Sequence, residues 1–571
     1  MPREKSDILG SLRGSINAAS VRKTVLSGLL ALVLLSPTAE AHPKPHGAVA
    51  SGDAQATEIG LQVLQRGGNA ADAAVATALA LAVTLPQAGN IAGGGFAVTR
   101  FGTKLDALDF REVAPAAAHR ATYLDERGRP VPGASTIGPL AAGIPGTPSG
   151  LFALHERHGR LPWTEVVKPA ERLARRGFVV SERTAENLAK RTQRLSRFPE
   201  AVATWFPGGA APAPGRRMVL PELAASLRSY ARLGPDAFLR GPRAKEVVAA
   251  VQAAGGLWTE EDLASYEVAW RQPVRFRLGG WQLASMPLPS SGGLILAEVA
   301  GILERHEHAE HGLADQAHLR AEALRRAFAD RFFLGDPGSV GFDPRALVRG
   351  QRLTALAADI DMSRASRSEP PTSSAPVGLE SDETTHLSVV DADGNLVALT
   401  TTLNGAFGCG WFHPAWGFLN NEMDDFATAP GRPNLYGLIQ GAANEVGPGK
   451  RMLSSMSPTV GWKGPERLAL GARGGSRIPS AVLHVLLEHV VFEKDLTEAM
   501  SSPRLHHQWL PDAFQLEEGA LPAAVRQELR ERGHQLRRRE EIGEVQAVRR
   551  HRGGRFEAVS DPRTKGAAGT R

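Results

Sequence analysis

The residues best suited to covalent chemistry gather at Asp382-Glu383-Thr384-Thr385-His386. A β-branched, alternating pattern starts abruptly at Thr384, straight after a segment (363–383) rich in Ser, Pro and acidic residues, the composition of an exposed connector. A threonine at such a junction is either an ordinary strand start or a nucleophile. In the second case, cleavage before Thr384 makes it the first residue of a new chain, and its hydroxyl is activated by its own α-amino group. Acyl transfer then needs a group that orients the nucleophile, donors for an oxyanion and charged groups that hold the substrate.

Candidates for those roles stand elsewhere in the chain. Residues 387–391, the turn signal Asp393-Gly394 and residues 396–403 read as a β-hairpin. With a two- or three-residue turn, the partner of Thr384 falls at 402 or 403, so Thr402 and Asn404 lie beside it at the open end. Gly474-Gly475 can aim backbone N–H groups at an anion or oxyanion. Arg111 has two readings: a structural ion pair with Asp109 and Glu112, or a bidentate clamp on a substrate carboxylate. Glu422, Asp424 and Asp425 are close together, but a hard cation wants more oxygen ligands at regular spacing; accepting hydrogen bonds from a ligand ammonium suits them better. Loop 429–449, which carries Tyr436, has the length and composition of an active-site lid. His306, His308, His311 and His318 lack a second cluster at metal-ligand spacing and read as solvated helix residues. Gly93-Gly94-Gly95 has no Gly-Lys-Ser/Thr or following helix, so it reads as close backbone packing rather than a phosphate cradle.

The elements that must position these groups alternate between helix and strand. Ser51 can cap a first helix that Gly67-Gly68 stops, and Asn69 starts a second (70–85) that is apolar on nearly every side and therefore buried. Strands follow near Phe96 and Leu108. Residues 143–361 read as mostly helical, with 287–293 (PLPSSGG) a tight turn before an apolar helix. Strands at 459–462 and 468–470, then helices at 480–490 and 521–532, complete the chain, and the basic run 537–539 reads as solvated surface.

With 571 residues, 42% apolar and 22% charged, the chain can bury a large core. One cysteine, Cys409, excludes an internal disulfide framework and a thiolate metal cluster. The net charge of +6 comes with no basic stripe interleaved with aromatics, which argues against a nucleic-acid partner. Basic residues before an apolar run (25–35), then Ala39-Glu40-Ala41, have the order of a secretory signal peptide, residues 1–41. Export to a periplasm or beyond is expected, with cleavage after Ala41 and no membrane anchor in the mature form.

Read together, these motifs make the chain resemble the bacterial γ-glutamyltranspeptidases of the N-terminal-nucleophile hydrolase superfamily. The resemblance runs from about residue 47 to 563. It rests on Gly67-Gly68-Asn69-Ala70, Pro86-Gln87-Ala88-Gly89-Asn90, Asp109-Phe110-Arg111-Glu112, Pro289-Ser290-Ser291-Gly292-Gly293, Thr384-Thr385-His386, residues 420–426, 454–458, Gly474-Gly475-Ser476-Arg477 and Ser560-Asp561-Pro562-Arg563. It implies an α/β (α+β) four-layer αββα sandwich and an inactive precursor that cuts itself between Glu383 and Thr384. A large subunit, 42–383, would stay paired with a small one, 384–571, as a heterodimer. In the implied site Thr384 is the nucleophile, Thr402 orients it, and the N–H groups of Gly474 and Gly475 form the oxyanion hole. Arg111, Ser454 and Ser455 hold the α-carboxylate of a γ-glutamyl group, Asn404, Glu422 and Asp425 its α-ammonium, and Tyr436 is the lid tyrosine. Expected partners are glutathione and other γ-glutamyl donors, with water, an amino acid or a dipeptide as acceptor; no metal or cofactor is implied. The rival readings are a glutaryl-type β-lactam acylase of the same fold, whose substrate lacks the α-ammonium, and a binding protein that keeps the fold without processing.

Overall fold

The computed structural model describes residues 46–369, 384–428 and 433–571; the expected signal peptide, connector residues 370–383 and residues 429–432 of the expected lid lie outside them. The strands that build the centre are, in chain order, β1 (Gly47–Ser51), β2 (Gly94–Phe101), β3 (Lys104–Phe110), β4 (Ala269–Arg271), β5 (Val274–Leu278), β6 (Trp281–Ser285), β7 (Thr385–Asp391), β8 (Leu396–Thr402), β9 (Thr459–Lys463), β10 (Glu466–Arg473), β11 (Glu544–Arg550), β12 (Phe556–Ser560) and β13 (Ala567–Thr570). One sheet has the order β13-β1-β7-β8-β2-β3-β4 and the other β12-β11-β10-β9-β6-β5. Every ladder in both is antiparallel.

The two-residue period of the strands sorts the core into layers. On the first sheet Ala48, Ala50, Phe96, Val98, Val390 and Ala398 turn inward toward the second sheet, and Val49, Leu387, Val389, Val397 and Leu399 turn outward. Helices α1 (Ala54–Gln65) and α2 (Ala70–Thr84) cover the outward face. Helices α3 (Gly292–Arg305), α4 (Leu313–Arg331) and α5 (Ile478–Leu486) form the layer outside the second sheet. The architecture is the expected αββα sandwich. At the centre the sheets approach closely: a Cβ on Gly471 of β10 would sit 2.3 Å from Cε1 of His386 on β7, so that position admits only glycine.

The apolar helix expected at 70–85 is α2, buried along its length. Asn69 caps it and Asp72 completes a capping box, accepting from the Asn69 N–H at 2.9 Å. Two expectations fail. Ser51 is not a cap: it pairs with Leu387 and Ala567 as the end of β1, and Asp53 caps α1 instead. The span 143–361 is mostly helical, as expected, although β4, β5 and β6 interrupt it; Val274–Leu278 (VRFRL) alternates with the period of a strand. His308 and His318 are not solvated. His318 Nδ1 lies 2.8 Å from His534 Nε2, and burial lowers His308 to about 3, so it is packed as a neutral ring. The basic run at 537–539 belongs to a short strand, Leu536–Arg539, with Arg537 and Arg538 exposed. Among the described residues no helix is long and apolar enough to cross a membrane.

Candidate active site

The hairpin register places Thr384, the expected nucleophile. Thr385 pairs with Thr401 and His386 with Thr400, which sets Thr384 opposite Thr402 at the open end of β7 and β8. Both even-numbered threonines turn toward the gap between the sheets, and Thr384 Oγ1 lies 3.4 Å from Thr402 Oγ1. Thr402 Oγ1 also accepts from the Asn404 N–H at 2.8 Å, which fixes its rotamer. Behind this pair, His386 Nδ1 meets Thr400 Oγ1 at 2.8 Å. Burial lowers His386 to about 3, so the ring is neutral and serves as support rather than as a charged base. Asn90 ties the end of β8 down, donating to Thr401 Oγ1 (3.0 Å) and Thr402 O (2.9 Å). A Cβ at Gly93 would be 2.2 Å from Thr402 O, so the glycine loop packs against the hairpin as its sequence implied.

Arg111 follows β3 and is fully buried. Its local acids are not its main partners. Asp109 holds Arg271 through two bonds of 2.8 and 2.7 Å, and Glu112 stays 3.8 Å from the guanidinium. Arg111 reaches across the fold instead: NH1 bonds the Glu422 carboxylate, NH2 bonds Asp425 Oδ2 at 2.6 Å, and Nε donates to Met452 O at 3.3 Å. Burial opposes its charge, but the three acids together hold its pKa above the usual value. Burial opposes charge on the acids as well, which for a carboxylate moves the pKa upward. It drives Glu422 well above the usual carboxylate range, and Glu112, both of whose oxygens lack partners, up to about 7. Asp424 stands apart, binding the Ser135 hydroxyl (2.6 Å) and the Leu435 N–H (2.8 Å), and so anchors the loop that carries Tyr436.

The remaining walls come from three turns. Ser454 lies against the turn 287–293: its N–H donates to Pro289 O at 2.8 Å, and its carbonyl accepts from the Ser291 N–H and hydroxyl, both at 2.9 Å. A Cβ on Gly292 would fall 2.2 Å from Ser457 Oγ, which explains the glycine there. Ser455 Oγ is buried without a partner. Gly475 (φ +56) has a conformation suited to glycine and lies under the Tyr436 ring, 2.3 Å from where a Cβ would sit. The Tyr436 hydroxyl donates to Asn404 O at 2.8 Å. Asn404 itself is left-handed (φ 68), with its Oδ1 buried and unpartnered.

Thr384, Thr402, Asn404, Arg111, Glu422, Asp425, Tyr436, Ser454, Ser455 and Gly475 all line one cavity; Gly474, packed on Gly543, does not line it. The cavity measures ≈ 20 Å³, room for about one water molecule. Arg331, in the last turn of α4, also lines it and was not singled out from the sequence. Asn90 stood inside a quoted motif without a role; its signal was an amide in a glycine-bounded loop before a strand. Among the described residues no group of three or more His, Cys, Asp or Glu is arranged to hold a metal ion.

An αββα sandwich with a threonine at the inner end of a central strand has the form of an N-terminal-nucleophile hydrolase. Structural comparison agrees. The cephalosporin acylase from Bacillus halodurans matches with a TM-score of 0.82 and 25% identity, over 94% of this chain and 99% of that one. The family described as Gamma-glutamyltranspeptidase matches residues 56–570, and the chain belongs to that family. It is 42% identical to a glutathione hydrolase proenzyme of Escherichia coli K12, covering 91% of this chain and 90% of the relative. It is 41% identical to the glutathione hydrolase proenzyme of Pseudomonas aeruginosa PAO1, covering 94% and 97%.

Proposed function

We propose that the protein is a self-processing γ-glutamyl hydrolase and transferase, acting on glutathione and related γ-glutamyl compounds. The observation that carries this reading is one cavity in which a strand-end threonine, 3.4 Å from a second threonine, faces a buried cation and two buried acids. In processing, the Thr384 hydroxyl attacks the Glu383 carbonyl, the peptide C–N bond breaks, and water opens the resulting ester. The parts are residues 42–383 and 384–571, which stay together as a heterodimer. The freed α-amine, with an ordinary pKa of about 7.7–8.0, accepts the hydroxyl proton in the next attack.

Turnover repeats the same chemistry on an outside substrate. Thr384 Oγ1 attacks the γ-carbonyl, the N–H groups of Gly474 and Gly475 stabilise the tetrahedral oxyanion, and the leaving amine takes the proton. Water, an amino acid or a dipeptide then takes the γ-glutamyl group from the ester. Arg111, Ser454 and Ser455 hold the donor's α-carboxylate, while Asn404, Glu422 and Asp425 accept hydrogen bonds from its α-ammonium. Arg111 pairs with Glu422 and Asp425, so a zwitterionic donor substitutes one set of ion pairs for another and leaves no buried charge uncovered. Tyr436, over Gly475, is the lid residue that must move for a donor to enter. Residues 1–41 direct the chain to the periplasm or outside the cell.

The test is a denaturing gel of the purified protein beside Thr384→Ala. Wild type is expected as two fragments, 42–383 and 384–571, and the variant as one uncut chain; two fragments in both, or one chain in both, overturns self-processing. The acylase reading has the fold likeness to the cephalosporin acylase in its favour. Rates on γ-glutamyl and glutaryl anilides separate the two, and a preference for glutaryl would select the acylase.

A further inference from the structure

Two cations line the cavity, and only one of them is spent. The three nitrogens of the Arg111 guanidinium bond Glu422, Asp425 and the Met452 carbonyl. Arg331, at the end of α4, is 3% exposed, yet among the described residues its side chain makes a single hydrogen bond: Nε donates to Ser291 Oγ at 3.2 Å. Among the described residues its terminal nitrogens have no hydrogen-bond partner, and they are not among the sealed, unpartnered polar atoms, so they open onto the cavity. Burial lowers its pKa to about 10 while Asp425 opposes the shift, so it remains charged at neutral pH. A buried guanidinium with one hydrogen bond is costly unless an anion completes it.

Its position says which anion. Ser291, the residue Arg331 bonds, gives both its N–H and its hydroxyl to the Ser454 carbonyl. Arg331 is thus one hydrogen bond behind the serine wall. On that wall Ser455 Oγ is also buried without a partner. Arg331 and Ser455 thus line the same cavity with donors that have no hydrogen-bond partner among the described residues, and the guanidinium is a planar fork whose geometry suits a carboxylate.

We propose that Arg331 is a specificity-determining residue that binds the α-carboxylate of the γ-glutamyl donor together with Ser455, sharing it with Arg111. This rests on the γ-glutamyl reading above. It differs from a role in which Arg331 only balances the charge of Glu422 and Asp425, because that role concerns the ammonium side of the substrate.

The experiment compares wild type, Arg331→Met and Arg331→Lys on γ-glutamyl and glutaryl anilides, with self-cleavage followed on gels. Both anilides carry the carboxylate and only the first carries the ammonium. In Arg331→Met, kcat/KM is expected to fall roughly 100-fold on both, chiefly through KM, with self-cleavage intact, since the scissile peptide brings no α-carboxylate. Arg331→Lys keeps the charge without the fork and is expected to lose roughly 10-fold on both. A loss confined to the γ-glutamyl anilide assigns Arg331 to balancing the acids and overturns the proposal. Unchanged KM, or failure of both variants to cleave themselves, overturns it as well. A wild type that turns over neither anilide would instead sink the functional reading itself.

Discussion

The cavity has two unlike walls. One is made of hydroxyls: Thr384 and Thr402 on neighbouring strands, neutral, brought together by the register of a single hairpin. The other is ionic: Arg111, Glu422 and Asp425, from segments some 311 residues apart in sequence, all buried and already paired with one another. The hydroxyl wall needs only local geometry and tolerates burial, because a threonine hydroxyl finds partners on adjacent strands. The ionic wall is stable only while its charges cover each other, so the wall proposed to hold the substrate is also a load on the fold. In the proposed function, chemistry and recognition are thus separated by kind of interaction as well as by position.

Breaking the ionic wall should have the largest effect. Arg111→Ala leaves Glu422 and Asp425 without their cation, and it is expected to cost about 3–5 kcal/mol of stability along with most γ-glutamyl turnover. Thermal unfolding and kcat/KM would check this, and an unchanged kcat/KM would return Arg111 to a purely structural ion pair. The hydroxyl wall should break more softly. Thr402→Val removes the partner of Thr384 while keeping the strand, so kcat should fall about 10-fold, the worth of one hydrogen bond of about 1–1.5 kcal/mol, with little change in melting temperature. Tyr436→Phe loses only the bond to Asn404 O, and a decrease of less than about 10-fold in kcat/KM is expected.

The smallest effect concerns pH. Glu112 is raised to about 7, so it is neutral below that pH and ionised above it. Ionisation beside Arg111 competes with a substrate carboxylate, so KM should rise modestly as pH passes upward through 7, and Glu112→Gln should flatten that rise. The sign for stability follows from the same shift. The folded state holds this proton more tightly than the unfolded chain, whose value is near 4.5, so this group's contribution is complete below 4.5 and declines as pH rises toward 7. A KM that falls through this range would contradict the assignment.

The hydroxyl wall was legible in the sequence because hairpin register is counted locally: the turn at Asp393-Gly394 put the partner of 384 at 402 or 403, and the structure selects 402. The ionic wall was legible only as residue types. Asp109 and Glu112 were the nearest acids to Arg111, but the extended strand carries Asp109 toward Arg271, and the partners of Arg111 arrive from the turn at 422–425. Arg331 was invisible for a similar reason: an arginine in a helix's last turn is ordinarily a solvated end, and only the packing of α4 behind Ser291 turns it inward. Strands β4 to β6 were missed although Val274–Leu278 alternates, because their helical surroundings outweighed a five-residue pattern.

The order β13-β1-β7-β8-β2-β3-β4 has a mechanical consequence. Strands that precede residue 384 alternate with strands that follow it at three places: β13 with β1, β1 with β7, and β8 with β2. The second sheet adds a fourth, between β6 and β9. Two polypeptides produced by a cut before Thr384 would therefore be interleaved like shuffled cards rather than docked face to face. Pulling them apart means unzipping buried ladders at the heart of both sheets, so dilution should not release one from the other, and loss of either piece should coincide with global unfolding.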